Sequence, residues 1–170
     1  MKREDRYFIH VKAYWRVIDF IETYCRYQDG FTLDGESLAG KKVKVHTWMK
    51  WQIRTIYGRY DRQTHRRAVR EAYIEVPKKN GKSMYVSALS LYHLLADGHY
   101  TESGEFIKEE APSVYCAAAS RDQAKIIHDL SKWMIEQDES LISKARPMQY
   151  DIKLRGKAGM FKVLSSDAGG

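Results

Sequence analysis

The chain has 170 residues, of which 44% are hydrophobic, so it can bury one ordinary core but is too short for two full enzymatic domains. Its formal net charge of +7 and its pI near 9.3 favour an acidic partner such as nucleic acid or a nucleotide phosphate. Cys25 and Cys116 stand alone in the sequence, which indicates neither a disulfide framework nor a zinc site.

Targeting signals are absent from the pattern of the sequence. No apolar run reaches the roughly 18 residues that a membrane-spanning helix needs. The charged start, Met1 to Arg6, leads into an amphipathic pattern rather than a signal peptide. We therefore expect a soluble, cytosolic protein without a membrane partner.

The first predicted elements are helical. Apolar residues recur at three- and four-residue steps from Tyr7 to Cys25, which predicts a first helix with one wide apolar stripe. Loop residues follow over positions 28–42. The spacing of apolar residues from Met49 to Tyr57 then predicts a second helix that ends near Gly58.

A strand followed by a buried helix is predicted next. The β-prone run from Ala72 to Val76 is followed by Pro77, which cannot donate to a sheet ladder. From Ser83 to Ala96 the apolar positions cover most of a helix circumference, and Gly98 stands where such a helix would end. The sequence therefore predicts a strand, a loop and a largely buried helix in this order.

The glutamate-rich stretch from Thr101 to Glu110 is predicted to be an exposed connector. The nearly continuous apolar run from Val114 to Ala119 predicts a strand that is covered on both faces. Ser120 and Gln123 have the spacing of a capping box, and the helical spacing that follows continues to about Asp138.

The last elements predicted are two strands, Tyr150 to Leu154 and Met160 to Leu164, joined as a hairpin. The order strand, helix, strand, helix after residue 70 is typical of an α/β unit with a parallel strand pair. We therefore predict an α/β fold, in which a parallel sheet core is flanked by helices. Residues 1–45 would form a helical lead-in, and residues 46–170 would form part of the α/β domain.

A candidate phosphate-binding loop lies at the junction of the predicted strand and the buried helix. Gly81, Lys82 and Ser83 match the end of the Gly-x-x-x-x-Gly-Lys-Ser/Thr pattern, but Val76 stands where its first glycine should be. The start of a helix favours anionic phosphate, which strengthens the match. The alternative is an ordinary turn with a glycine and solvated lysines.

The stretch from Glu75 to Ser83, EVPKKNGKS, resembles the variant phosphate loop of tailed-phage terminase large subunits, which reads hydrophobic, Pro, Arg, Lys, Asn, Gly, Lys, Ser. Trp51-Gln52 resembles the upstream Trp-Gln element that contacts adenine in that family. Arg66-Arg67 precedes the strand, and the run from Ala117 to Ala124 resembles the second strand and its helix cap. The resemblance spans about Trp48 to Asp138.

The resemblance implies a P-loop NTPase-type domain that binds ATP and Mg²⁺. Lys82 would act as the catalytic cation on the β and γ phosphates, and Ser83 would ligate Mg²⁺. Gln52 would read the adenine edge, although a surface helix amide is the alternative for this residue. The implied nucleotide-binding set is Gln52, Lys78, Lys79, Asn80, Gly81, Lys82 and Ser83.

Departures from the family pattern limit the expected activity. Lys78 stands where the family usually has arginine, so a fork-shaped phosphate contact becomes a point-charge contact. Asp167 follows no apolar run ending in Asp-Glu, so it is not assigned the acidic role that orients water and completes the Mg²⁺ shell. We therefore expect an incomplete domain that binds ATP weakly, hydrolyses it poorly, has no nuclease activity and exposes apolar surface for self-association.

Two arginine features have open interpretations. The arginine-rich segment from Arg54 to Arg70 fits a DNA backbone contact, but a basic face that covers the core edge fits equally well. Arg121 is placed to approach a neighbouring subunit's nucleotide in a ring, although a solvated residue in the first turn of a helix is the commoner case. DNA-contacting residues are therefore not assigned.

The function implied by the resemblance is the ATP-binding portion of a motor that packages double-stranded DNA into capsids. Its partners would be DNA, the portal and the small terminase subunit, and it would work in the bacterial host cytoplasm, docked on the procapsid. The alternatives are another P-loop ATPase such as a helicase, and a non-catalytic remnant that binds DNA or a partner. Trp51-Gln52 and the run from Pro77 to Asn80 argue against a nucleotide kinase.

Overall fold

The computed structural model describes residues 6–118 and 120–165. Among these residues the helices are α1 (Val11–Tyr24), α2 (Thr47–Gly58), α3 (Lys82–Leu95), α4 (Arg121–Glu136) and α5 (Glu139–Ile142). The strands are β1 (Tyr7–Ile9), β2 (Arg59–Asp61), β3 (Gly98–Tyr100), β4 (Phe106–Lys108), β5 (Ser113–Ala118), β6 (Ala145–Pro147), β7 (Asp151–Leu154) and β8 (Met160–Ser165). No helix in these ranges is long and apolar enough to cross a membrane.

The first helix starts later than its apolar spacing predicts. The first three residues of the stripe, Tyr7–Ile9, form β1, which pairs antiparallel with β2. His10 then caps α1, because its side chain accepts a hydrogen bond from the backbone N–H of Ala13. The expected start at Tyr7 was wrong because a strand partner far along the chain competes with the helix for these residues.

The predicted helices at the centre of the chain are confirmed. α2 ends at Gly58 as expected, and α3 covers almost the whole predicted span. Ala88, Leu91 and Leu94 of α3 are completely buried. One apolar core joins these residues to α1, α2, α4 and the sheet, so residues before and after position 45 share the same core.

The main sheet is mixed, with the strand order β5-β8-β7-β6. The predicted hairpin is confirmed as β7 and β8, which pair antiparallel. The parallel pair is not the predicted one, which joined the run from Ala72 to Val76 to the strand that begins at Val114; instead β5 pairs parallel with β8. α4 lies between them in sequence and packs against both strands, which is the usual helical crossover of an α/β unit. The α/β class is therefore confirmed, with a sheet that is part parallel and part antiparallel.

The strand predicted from Ala72 to Val76 does not form. Residues 71–77 make no ladder with a neighbouring strand, and Tyr73 is 90% exposed. β-branched and aromatic residues favour a strand only where a neighbouring edge is available for pairing, and no such edge adjoins this run in the described part of the chain. Only Ile74 of this run packs against the apolar core.

Two further expectations are corrected. β5 is not covered on both faces, because its alternate residues Ser113, Tyr115 and Ala117 are exposed, Tyr115 to 55%. Ala119, the last residue of that predicted run, lies outside the described residues. The stretch from Thr101 to Glu110 is not a plain connector, because β4 within it pairs with β3, although its glutamates are exposed as expected.

A buried carboxylate ties three parts of the fold together. Asp97, just after α3, accepts a hydrogen bond from Arg67 at 2.8 Å and lies 2.6 Å from Nδ1 of His93. The other ring nitrogen of His93 lies 2.8 Å from the hydroxyl of Tyr57 on α2. Burial alone would raise the pKa of Asp97, but the contacts with His93 and Arg67 outweigh it and hold the pKa below its usual value.

We predict that Asp97→Asn destabilises the fold by about 3 kcal/mol at pH 7, because it leaves Arg67 without its partner charge in a mostly buried setting. Asp34→Asn, which removes an exposed carboxylate without an ion pair to a described residue, should cost little. Urea denaturation measures both values.

The pH dependence of stability gives a second test. Because the pKa of Asp97 is lower in the folded chain, its ionised carboxylate stabilises the fold at neutral pH. This stabilisation is lost as the pH falls through the folded-state pKa. The gap between wild type and Asp97→Asn should therefore narrow below about pH 4; a constant gap would contradict the assignment.

Candidate functional site

The predicted phosphate loop forms a tight turn that leads directly into α3. Two of its residues, Lys79 and Gly81, have positive φ angles of 67° and 70°. The side-chain amide of Asn80 donates to the backbone carbonyls of Pro77 and Lys78, at 3.3 and 3.4 Å. The side chain of Asn80 therefore folds the loop onto itself.

The start of α3 is open to an anion. Gly81 is the N-cap residue, and it has no side chain that could accept from the first-turn N–H groups. These groups and the helix dipole therefore favour a negatively charged ligand at this end. Lys82 and Ser83 lie in the first turn with exposed side chains, and Lys82 forms no ion pair with any described residue.

α2 lies alongside the start of α3. The rings of Trp48 on α2 and Tyr85 on α3 meet edge to face with centroids 5.4 Å apart. Met49 of α2 also lies close to the loop. Its Cε is 3.8 Å from the position that a Cβ at Gly81 would take. Gln52 follows Trp48 by one helical turn, and this places it on the face of α2 that turns toward α3. Helical spacing therefore puts Gln52 on the same face of α2 as Trp48.

Two buried polar atoms, one on α2 and one on α3, have no partner among the described residues. They are Oε1 of Gln52 and the hydroxyl of Tyr85. Burial raises the pKa of Tyr85, so its hydroxyl stays neutral at physiological pH. An unpaired buried polar atom costs about 1 to 3 kcal/mol, and a ligand with an N–H donor would remove that cost at Gln52.

Sequence reasoning missed Tyr85 and Trp48. Both were hidden in the apolar pattern of their helices, and neither was singled out as a site residue. A tyrosine inside a buried helical stripe is a usable signal, because its hydroxyl needs a partner even where its ring is core. Trp51, by contrast, is 66% exposed, so the Trp-Gln element brings Gln52 toward α3 and leaves Trp51 outward.

The lysines before Gly81 remain candidates for phosphate contact. Lys78 and Lys79 are exposed and form no ion pair with a described residue. The part of the chain that the structure describes contains no cluster of three or more His, Cys, Asp or Glu residues that could hold a metal ion. Arg121 stands at the start of α4, as its capping pattern predicts, and Asp167 lies outside the described residues.

Half of the arginines in the segment from Arg54 to Arg70 make contacts within the fold. Arg59 lies over the ring of Tyr7 at 4.5 Å, and Arg62 lies over the ring of Phe8 at 5.2 Å. Arg67 is bound to Asp97 and is mostly buried. These contacts favour the core-edge interpretation for half of the segment. Three members remain exposed without an ion pair to a described residue, namely Arg54, Arg66 and Arg70.

Comparison with known proteins identifies a family model described as the terminase large subunit, ATPase domain, which matches residues 47–169. Among solved structures, the crystal structure of the HK97 bacteriophage large terminase is similar, with a TM-score of 0.67 and 21% sequence identity. The similarity covers 92% of this chain and 28% of the HK97 chain, and at this identity it shows the fold alone. No curated protein matches the chain significantly.

We predict that Gly81→Ala lowers the free energy of unfolding by about 1 kcal/mol, because a Cβ is strained at a positive φ angle. The nearest side-chain atom to such a Cβ is 3.6 Å away, so crowding adds little. Gly81→Asn should cost less than half as much, since asparagine tolerates this conformation. Urea denaturation of the two variants checks this, and equal losses would contradict the left-handed geometry at Gly81.

Proposed function

Because the chain belongs to the terminase large subunit ATPase family, we propose that its loop from Val76 to Ser83 binds ATP with Mg²⁺. An ATPase domain binds nucleotide, and the match covers residues 47–169, which include this loop. The larger protein would use ATP hydrolysis to move double-stranded DNA into a phage capsid. The portal and the small terminase subunit would be its protein partners, and it would act while docked on the procapsid.

One observation carries the proposal for the nucleotide. The uncapped start of α3 lies next to α2, whose Gln52 has a buried carbonyl oxygen without a partner among the described residues. A phosphate group at the helix start and a base at Gln52 would use both features at once. A phosphate alone would leave the oxygen of Gln52 unsatisfied. The pair of features therefore supports a whole nucleotide rather than an isolated anion.

Each loop residue has a distinct task in this proposal. Lys82 offsets negative charge on the β and γ phosphates, including the charge on the phosphoryl group during transfer. The hydroxyl of Ser83 would be a ligand of Mg²⁺, which neutralises phosphate charge when bound. Asn80 holds the turn through its contacts with Pro77 and Lys78, so the backbone N–H groups of Gly81 and Lys82 stay directed to the ligand.

Lys78 and Lys79 add positive charge at the rim of the loop. Lys78 replaces the arginine that terminases usually have at this place, so it would attract phosphate without a two-pronged hydrogen bond. We accordingly assign it an auxiliary role. Lys79 has an exposed side chain on a left-handed backbone, and its ammonium group would add charge at the same rim.

We predict that Lys82→Ala weakens the binding of ATP with Mg²⁺ at least tenfold, because it removes the charge nearest the β and γ phosphates. Lys153→Ala, an exposed lysine on β7, is the matched control and should leave the affinity unchanged. Titration calorimetry measures both variants against the unchanged chain. If Lys82→Ala bound ATP with unaltered affinity, the assignment of this loop to phosphate binding would be wrong.

We predict that Gln52→Ala lowers the affinity for ATP about tenfold and reduces the preference for ATP over GTP, since the amide would read the adenine edge. The same change deletes a buried oxygen that has no partner among the described residues, so it should not lower the free energy of unfolding. Calorimetric titration with both nucleotides, alongside urea denaturation, tests the two statements. A variant that loses stability and keeps its ATP preference would show that Gln52 is a structural amide.

A further inference from the structure

A second concave site lies at the far end of α3 from the phosphate loop. It is a cleft of about 580 Å³ between α1, the last residues of α3, the β3–β4 hairpin and α5. α3 has 14 residues, so roughly 20 Å separate the cleft from the start of the helix. The cleft is therefore no part of the proposed nucleotide site, and a ligand in it would bind independently of the nucleotide.

Positive charge dominates the cleft. Its lining includes four cationic side chains and one carboxylate, namely Lys12, Arg16, Lys108, Lys144 and Asp19. Within the described residues none of the four cations forms an ion pair. Surface lysines often stand alone, but four unpaired cations that converge on one concavity make an anion-binding site.

Arg16 is held in place for binding. Its guanidinium carbon lies 3.7 Å from the centre of the Phe106 ring, and its Nε donates to the carbonyl of Ala96 at 3.3 Å. These contacts fix the side chain before any ligand arrives, so little conformational entropy is lost on binding. A carboxylate or phosphate would meet a guanidinium whose position is already set.

The cations are close enough to repel one another. The pKa of Lys108 lies below its usual value, first because the side chain is partly buried and then because Lys157, Lys144 and Arg16 are nearby positive charges. An anion in the cleft would relieve this repulsion. The unfavourable arrangement in the free chain is thus consistent with a ligand of opposite charge.

Exposed apolar side chains adjoin these cations on α1. Trp15 lines the cleft and is 43% exposed, and Val11, one turn earlier on the same helix face, is 54% exposed. Tyr24 lies at the other end of the cleft, under the ammonium group of Lys144 at 5.7 Å. Tryptophan and arginine in the same concave patch are typical anchors of protein–protein interfaces.

We propose that this cleft docks an acidic peptide segment of a protein partner, one that carries an aromatic or aliphatic side chain among its carboxylates. The carboxylates would pair with Lys12, Arg16 and Lys144, and the apolar side chain would cover Trp15. Duplex DNA is the less suitable ligand. Its charged phosphate backbone offers no apolar group that would cover Trp15.

Fluorescence anisotropy with a labelled peptide tests the proposal. The probe is a twelve-residue synthetic peptide of glutamate and aspartate with one phenylalanine and one leucine; a second probe lacks the two apolar residues. Lys12→Gln with Lys144→Gln removes two exposed cations of the cleft, and we expect at least tenfold weaker binding of the first probe. Lys153→Gln with Lys162→Gln removes two exposed lysines of the sheet, and we expect less than a twofold change.

Trp15→Ser separates the apolar contact from the charges. It should weaken binding of the first probe and leave the all-acidic probe unchanged. The proposal would be overturned if the two double lysine variants lost the same affinity for the first probe. It would also be overturned if Trp15→Ser bound the first probe with unchanged affinity. A 20-base-pair duplex that displaces the peptide and shows the same dependence on Lys12 and Lys144 would overturn it as well. Lys82→Ala should bind both probes normally, which keeps this result separate from the fate of the nucleotide proposal.

Discussion

Burial of α3 is the constraint on which the rest of the structure depends. Ala88, Leu91 and Leu94 are completely enclosed by α1, α2, α4 and the sheet, so this helix has little freedom to shift or rotate. Both proposed binding sites are therefore positioned by one element. The phosphate loop takes its position from the first turn of α3, and the Asp97 contacts and the basic cleft take theirs from its last turn.

Segment 68–80, which connects the two ends, shows why α3 rather than a strand positions the loop. Arg67 is bound to Asp97 beyond the last turn of α3, and Gly81 begins its first turn. The 13 residues between them can reach about 45 Å when extended, whereas the helix they run beside is about 20 Å long. The segment is longer than this distance requires, so it can reach the loop without joining a sheet ladder. Its run 71–77 is mostly exposed.

Local signals in the sequence predicted those parts of the fold that neighbouring residues determine. The α3 stripe, the hydroxyl of Ser120 that caps α4, and the β7–β8 hairpin depend on spacing within about 15 residues, and each is present. The errors lie where distant segments pair or fail to pair. Tyr7–Ile9 became a strand because residues 59–61 were available, and Ala72 to Val76 stayed unpaired because no described edge adjoined it.

The candidate site divides in the same way. The lysine and glycine of the loop were predictable because a phosphate loop is a local motif, and its left-handed glycine is visible in the sequence as a residue type. The unpaired hydroxyl of Tyr85 and the unpaired oxygen of Gln52 were not, since both arise only when α2 packs on α3 and water is excluded between them. A local motif can name candidate phosphate ligands, but tertiary packing decides which polar atoms of the molecule stay without a partner. Such unpaired atoms cost folding free energy, and the spacing pattern along a single helix does not reveal them.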